Sequence, residues 1–183
     1  TAACNAVETL LVNRKAAADF LPEAAKALHA AGVKLRGTRE VNEIIPCEIM
    51  GEEEFHREYL DLILSVKIVE DLEEAVNHIN TYGSHHTDCI ITENQEHALR
   101  FMQLVDSAGV YQNCSTRFAD GFRYGFGAEV GISTGKIHAR GPVGLEGLVT
   151  YKYKLFGQGQ IVGDYASGKK AFHFHDLDPE AGV

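Results

Sequence analysis

The 183 residues hold no apolar run approaching the ~20 that span a bilayer. The first residues also lack the basic flank and long apolar stretch of a secretory leader. Basic residues are scarce: 17 Lys and Arg stand against 26 Asp and Glu, for a formal net charge of -9. That balance excludes the concentrated positive surface that nucleic acid requires. It also means that an anionic substrate must be met by locally placed arginine or backbone N–H groups, because the field of the whole chain repels it. No cysteines share a CxxC spacing; Cys4, Cys47, Cys89 and Cys114 are scattered. Without a leader they read as reduced thiols in a cytosol-like compartment, so the expected location is cytoplasmic. Internal repeats and low-complexity linkers are missing as well. What is left is the size and composition of one ordinary globular domain with a real core.

Helical and extended patterns alternate along most of the chain. Asp19 as cap, Pro22 in the first turn and Gly32 at the end predict a helix with Phe20, Ala24, Leu28 and Ala31 on its apolar stripe. Leu62–Val69 reads as a buried strand. Asp71 with Glu74 opens a helix carrying Leu72, Val76 and Ile79 and closed by Gly83. Cys89–Thr92 is a short strand, Asn94 caps a helix with Ala98, Phe101 and Val105 inward, and Val110–Asn113 is a strand again. Strands alternating with helices of about a dozen residues predict βαβ units, an α/β fold with a mostly parallel open sheet flanked by helices. Residues 114–147 are rich in glycine, arginine and hydroxyls and lack a helical period, a length that suits a functional loop. The segment from Val149 to Asp176 alternates and turns like a β-arm. The expected division is therefore 1–147 as the main domain and 148–183 as a C-terminal β-arm.

Several constellations could carry chemistry. Cys4 precedes Asn5–Thr9, which can form one helical turn. A thiol at a helix amino end has its thiolate favoured, and the same N–H groups can hold an oxyanion; the other reading is a small buried cysteine. His85, His86 and Cys89, and likewise His173, His175 and Asp176, cluster without a four-ligand zinc spacing, so no metal is expected. Gly125-x-Gly127-x-x-x-Gly131 and Gly157-x-Gly159-x-x-x-Gly163 each have one residue too many for a dinucleotide fingerprint, and neither opens a helix in a βαβ unit. Asn113-Cys114-Ser115-Thr116-Arg117-Phe118 follows a strand of an open sheet, where ligands bind. Its hydroxyls and guanidinium suit a carboxylate or phosphate, unless Arg117 is only a solvated loop residue.

The stretches AACNAVETLLV, SHHTDCIIT, DSAGVYQNCSTRFADG, GFGAEVGIST and KIHARGPVGLEGLVTYKY, in order from residue 1 to about 165, closely resemble the gamma-glutamyl phosphate reductase family. That family, also called glutamate-5-semialdehyde dehydrogenase, belongs to the aldehyde dehydrogenase superfamily. The resemblance implies the superfamily's catalytic domain, with the cofactor-binding domain that precedes it in the family absent from this chain. It implies NADPH-dependent reduction of L-glutamyl 5-phosphate to L-glutamate 5-semialdehyde in proline biosynthesis, with Cys4 as the catalytic cysteine that forms a thioester. Arg57–Leu64 resembles the place where the superfamily holds the nicotinamide ribose with a glutamate, here Glu58, although Leu60-Asp61-Leu62 stands where Phe-Gly-Pro is usual. Ser115, Thr116 and Arg117 match the loop that anchors the glutamyl chain. His138 and Arg140 either shape that region or hold the loop. Superfamily arms dimerise, so 148–175 is expected to pair with a second copy of this chain, and the chain alone is expected to be inactive. The alternatives are another superfamily dehydrogenase, or a module that serves assembly only.

Overall fold

The computed structural model describes residues 2–174. The chain divides into two units, Thr1–Val149 and Thr150–Val183.

The first unit opens with β1 (Thr9–Asn13) and passes directly into α1 (Arg14–Ala30). Asn13 is the cap, its side chain accepting from the Lys15 N–H at 3.0 Å. The cap thus stands six residues before the expected Asp19. Pro22 lies inside it, exposed beside exposed Ala18, where water can meet the carbonyl its missing N–H leaves free. The buried stripe is Ala17, Leu21 and Ala25, with Leu28 packed against the core, so the face is rotated by one position from the expected one and Phe20 is exposed. Gly32 does end the helix: it takes φ +79°, and the Val33 N–H reaches back to the Leu28 carbonyl at 2.9 Å.

Next come β2 (Lys34–Gly37), α2 (Arg39–Ile44), β3 (Glu48–Ile49), a 3₁₀ turn over Glu52–His56 and β4 (Ile63–Val69). These strands form one sheet in the order β1-β4-β2-β3, every pairing parallel, with Leu11 opposite Lys67 and Leu35 opposite Leu64. Val12, Leu21, Val41, Leu64 and Val66 are the centre of the main core. α3 (Leu72–Tyr82) is capped by Asp71, whose side chain accepts from the Glu74 N–H, while the Glu74 carboxylate accepts from the Glu70 N–H. β5 (Thr87–Ile90), α4 (Gln95–Leu104) capped by Asn94, and β6 (Gly109–Gln112) follow, β5 and β6 pairing in parallel. Val76, Phe101 and Val105 form a second, smaller core. A 3₁₀ turn over Thr116–Phe118, α5 (Gly121–Tyr124), β7 (Gly131–Ser133), β8 (Gly141–Val143) and a 3₁₀ turn over Leu145–Leu148 complete the unit, β7 and β8 being antiparallel. The fold is the expected mostly parallel sheet flanked by helices.

The second unit corrects the expected β-arm. Among the described residues of 150–174 there is no strand; the only regular element is α6 (Val162–Ala166). The alternation Tyr151-Lys152-Tyr153-Lys154 is compatible with a strand, but a strand needs a partner for its N–H and C=O groups, and none pairs with it here. His175 and Asp176, with the remainder of the expected arm, lie outside the described residues.

Candidate active site

Cys4 stands exposed in a tight turn closed by the Ala6 N–H on the Ala3 carbonyl at 2.8 Å. No helix follows it. Val7 and Glu8 lead straight into β1, with the Glu8 carbonyl already accepting from the Ser65 N–H of β4 at 2.9 Å. Activation of the thiol by a helix end therefore has no helix to rest on, because pairing with β4 extends the backbone where one turn of helix was expected.

The next residue, Asn5, is buried and fixes the turn. Its Nδ2 donates to the Ala119 carbonyl at 2.8 Å, its own carbonyl accepts from the Thr116 hydroxyl at 2.8 Å, and its Oδ1 accepts from the Arg117 guanidinium. The Ser115 hydroxyl oxygen in turn accepts from the Arg117 N–H at 3.2 Å, capping the 3₁₀ turn that carries these groups. The Arg117 carbonyl accepts from Arg123, which also pairs with Asp120 at 3.1 Å. The loop after β6 and the turn before β1, 112 residues apart in sequence, are thus clasped together. Of the expected site residues, Cys4, Ser115, Thr116 and Arg117 are brought to one place. The Asn5 amide beside the thiol spends one of its two N–H donors on the Ala119 carbonyl.

Cys4, Ser115 and Thr116 border a cleft of about 1180 Å³ whose walls also carry Phe20, Cys89, Phe101 and Cys114. Phe20, expected in the core, is on this wall. Asp88 lines the cleft too; burial pushes its carboxyl up, against the pull of the Ser107 hydroxyl, which donates to it at 2.6 Å. Glu8, four residues from Cys4, is also pushed up, first by burial and then by the negative charge of Glu58. Glu58 is exposed in the stretch leading to β4 and does not line the cleft, so it stands beside the site rather than within it.

The remaining candidates are structural. His138 Nε2 meets the Gly147 carbonyl at 3.0 Å, and Arg140 donates to the Asp106 carbonyl and carboxylate at 3.1 and 3.0 Å, so both hold the loop. His85 Nδ1 meets the Asp106 carbonyl and His86 Nδ1 the Thr87 hydroxyl. Among the described residues no group of three or more His, Cys, Asp or Glu is placed to hold a metal. Gly125 and Gly127 take φ +82° and +80° in the turn that closes α5, so that glycine pattern ends a helix instead of opening one.

Comparison with known proteins adds two relatives and two solved structures. The chain is 60% identical over 182 residues, all of it, to 42% of the gamma-glutamyl phosphate reductase of Pelotomaculum thermopropionicum. It is 62% identical over 177 residues to 41% of gamma-glutamyl phosphate reductase 1 of Synechocystis sp.. It therefore spans about two fifths of the length of the curated relatives it matches. The crystal structure of the gamma-glutamyl phosphate reductase from Thermotoga maritima superposes with a TM-score of 0.85 at 46% identity, over 87% of this chain and 39% of that one. A propionaldehyde dehydrogenase from Clostridium phytofermentans shares the fold at 16% identity, with a TM-score of 0.53 over 77% of this chain and 40% of that one. No family model matches.

Proposed function

We propose, on the premise that this chain belongs with the gamma-glutamyl phosphate reductases over the two fifths of their length that it spans, that it is the catalytic domain of such an enzyme, with Cys4 as nucleophile. The observation that supports this reading best is the clasp: an exposed thiol beside a large cleft, on a turn fixed by a buried asparagine to a loop bearing two hydroxyls and a guanidinium.

The substrate in this reading is L-glutamyl 5-phosphate. The Cys4 thiolate attacks the acyl carbon, a C–S bond forms, the C–O bond to phosphate breaks, and inorganic phosphate leaves a thioester on Cys4. Arg117 carries five N–H donors, one of them committed to Asn5 Oδ1, so donors remain to grip the glutamyl carboxylate or the phosphate. Ser115 and Thr116 shape that end of the site by fixing the turn. NADPH, when bound, supplies the hydride that takes the thioester to L-glutamate 5-semialdehyde. This chain fits that cofactor only in part: Glu58 offers an exposed carboxylate to a ribose hydroxyl, while its glycine turns form no dinucleotide cradle among the described residues. We therefore place most of the cofactor's contacts in the part of the family's length that this chain does not span, and we expect the chain alone to be inactive. We also take residues 148–174 to pair with a second copy of the chain, since Tyr151, Tyr153, Leu155 and Phe156 are left exposed, and we take the compartment to be cytoplasmic. Among the described residues no helix is long and apolar enough to cross a membrane.

Timed iodoacetamide labelling with peptide mapping tests the assignment. Cys4 and Cys114 are both exposed, so exposure alone would label them alike. The proposal expects Cys4 to react faster, and to be protected by glutamate 5-semialdehyde, which adds reversibly to a nucleophilic thiol. Equal rates without protection would remove Cys4 from the reaction.

A further inference from the structure

One face of the main sheet is polar, where a parallel sheet is ordinarily apolar on both sides. Leu35 and Leu64 belong to the main core. Their neighbours Lys34, Arg36, Ile63 and Ser65 therefore lie on the opposite face, Ile63 across from Lys34, and Ser65 and Glu48 on either side of Arg36. Ser65 and Arg36 are 1% and 9% exposed there. The segment Arg57–Leu60 folds over this face. The Tyr59 hydroxyl accepts from the Arg36 Nη1 at 3.1 Å and lies 3.0 Å from the Ser65 Oγ. The guanidinium carbons of Arg36 and Arg57 stand 5.6 and 5.7 Å from the centre of the Tyr59 ring. Leu60 then takes φ +53°, a conformation that costs a leucine energy and that gathers at functional sites. Together these residues wall a cavity of about 190 Å³, lined by Lys34, Arg36, Glu48, Arg57, Tyr59 and Ile63. None of the six borders the cleft that holds Cys4.

Arg36 is held by Glu48 at 3.1 Å and by Glu54 at 2.7 Å, and Lys34 pairs with the same Glu48. Arg57 has no carboxylate partner among the described residues, and Glu58 beside it is not on the wall. Three cations against two carboxylates leave one positive charge here, in a chain whose net charge is -9. Donors are left over as well. Arg36 spends N–H groups on Tyr59, Glu48 and Glu54, and its Nε is buried without a partner. Lys34 spends one of its three on Glu48, and the five of Arg57 are unspent among the described residues. We propose that this cavity binds a small tetrahedral oxyanion, a phosphate either free or at the end of a small ester. The Arg57 fork and the Lys34 ammonium grip it, and the buried Arg36 supplies charge from behind. The Tyr59 ring, tied to Ser65, holds the Arg57 guanidinium in place, which lowers the cost of ordering it. The cavity is smaller than the ~300–1,000 Å³ that takes a drug-sized ligand, a size for one phosphate group and not for a nucleotide. The proposal does not depend on Cys4 being a catalyst or on Arg117 meeting the substrate.

The test is calorimetric titration of the chain with inorganic phosphate at low ionic strength, since Lys34 and Arg57 are exposed and salt would screen them. It is run in the Arg117→Gln variant, so that the other phosphate grip proposed above cannot account for the heat. Saturable binding is expected to persist there. Adding Arg57→Gln should weaken it about tenfold, the loss of one charge-assisted contact, and adding Lys34→Gln should weaken it in the same direction. Both side chains are exposed, so neither change disturbs the core; Arg36 is left in place because it is buried between carboxylates. Adding Arg100→Gln, whose arginine pairs with Glu73 instead, should leave the affinity unchanged. Methyl phosphate is titrated in parallel: tighter binding of the ester assigns the site to a phosphate ester and weaker binding to the free ion, and either carries the proposal. Absence of saturable binding in Arg117→Gln would overturn it. So would equal affinities with and without Arg57→Gln, and neither result would touch the assignment of Cys4.

Discussion

β4 and the segment Tyr151–Phe156 are written in similar ink, short runs of apolar and aromatic residues with lysines among them. One is the middle of a sheet and the other is no strand at all. β4 is hydrogen-bonded on both edges, by β1 and by β2, and Leu64, Val66 and Ile68 are buried at 6%, 1% and 4% exposure. Tyr151, Tyr153, Leu155 and Phe156 are between 78% and 99% exposed. The difference is the partner. Alternation gives a segment the capacity to be a strand, but extended backbone has nowhere to place its N–H and C=O groups until another strand arrives. β4 receives two within its own chain. In the reading above, the second unit receives one from another copy.

Four experiments would break or sharpen that contrast, the largest effect first. Leu21→Ala, which empties a site 1% exposed under the main sheet, should cost about 2–5 kcal/mol in urea unfolding. Leu155→Ala at a position 99% exposed should stay within about 0.5 kcal/mol. Similar losses at both positions would mean that the second unit is packed after all. Asn5→Ala leaves the Arg117 and Ala119 groups without their partner and should cost about 1–3 kcal/mol by the same measurement. It should also change the alkylation rate of Cys4. A change in stability with Cys4 kinetics untouched would uncouple the clasp from the thiol.

The third experiment is a pH series on the packed unit. Burial, helped by the charge of Lys67 and by His56 and opposed by Glu52 and Glu74, holds the His78 imidazole down to about 4 from an ordinary 6.5. Its two ring nitrogens are buried without partners. A depressed histidine binds its proton less readily folded than unfolded. Its contribution is therefore fully present above pH 6.5 and is lost as the pH falls from 6.5 toward 4. Urea midpoints across that range should fall less steeply in His78→Phe than in the parent; parallel slopes would show that His78 is not responsible. The smallest effect on stability is expected from removing residues 150–183. The urea midpoint should hardly move, while light scattering should report a smaller assembly. An unchanged scattering mass would count against pairing through this segment.

Legibility in the sequence followed the range of the interactions. The caps at Asp71 and Asn94 were readable because a cap is settled within three residues. The start of α1 was not, because Asn13 and Asp19 are both good caps and only the end of β1 selects between them. The alternation of strands and helices foretold the parallel sheet. Cys4 and the Ser115–Arg117 loop stood out by residue type and by the resemblance, and the structure ties the two together through Asn5. Asn5 went unnoticed, since nothing near it in sequence marks an asparagine whose partners lie 111 to 114 residues away. The helix expected after Cys4 failed for a related reason: Glu8 is already paired to β4, and no local propensity records that.

The Asn5–Arg117 contact also has a consequence in time. Closing a flexible loop of 112 residues costs on the order of 4 kcal/mol in chain entropy before any contact returns it. A pair this distant forms readily only once the intervening strands have already shortened the effective loop. The turn that presents Cys4 is therefore expected to be among the last parts of the unit to take shape during folding. Any partly folded form that keeps the β1–β4 sheet would still hold a thiol pointing in no fixed direction. If Cys4 is the nucleophile proposed above, the rate at which it becomes faster to alkylate than Cys114 during refolding would time the closing of this turn.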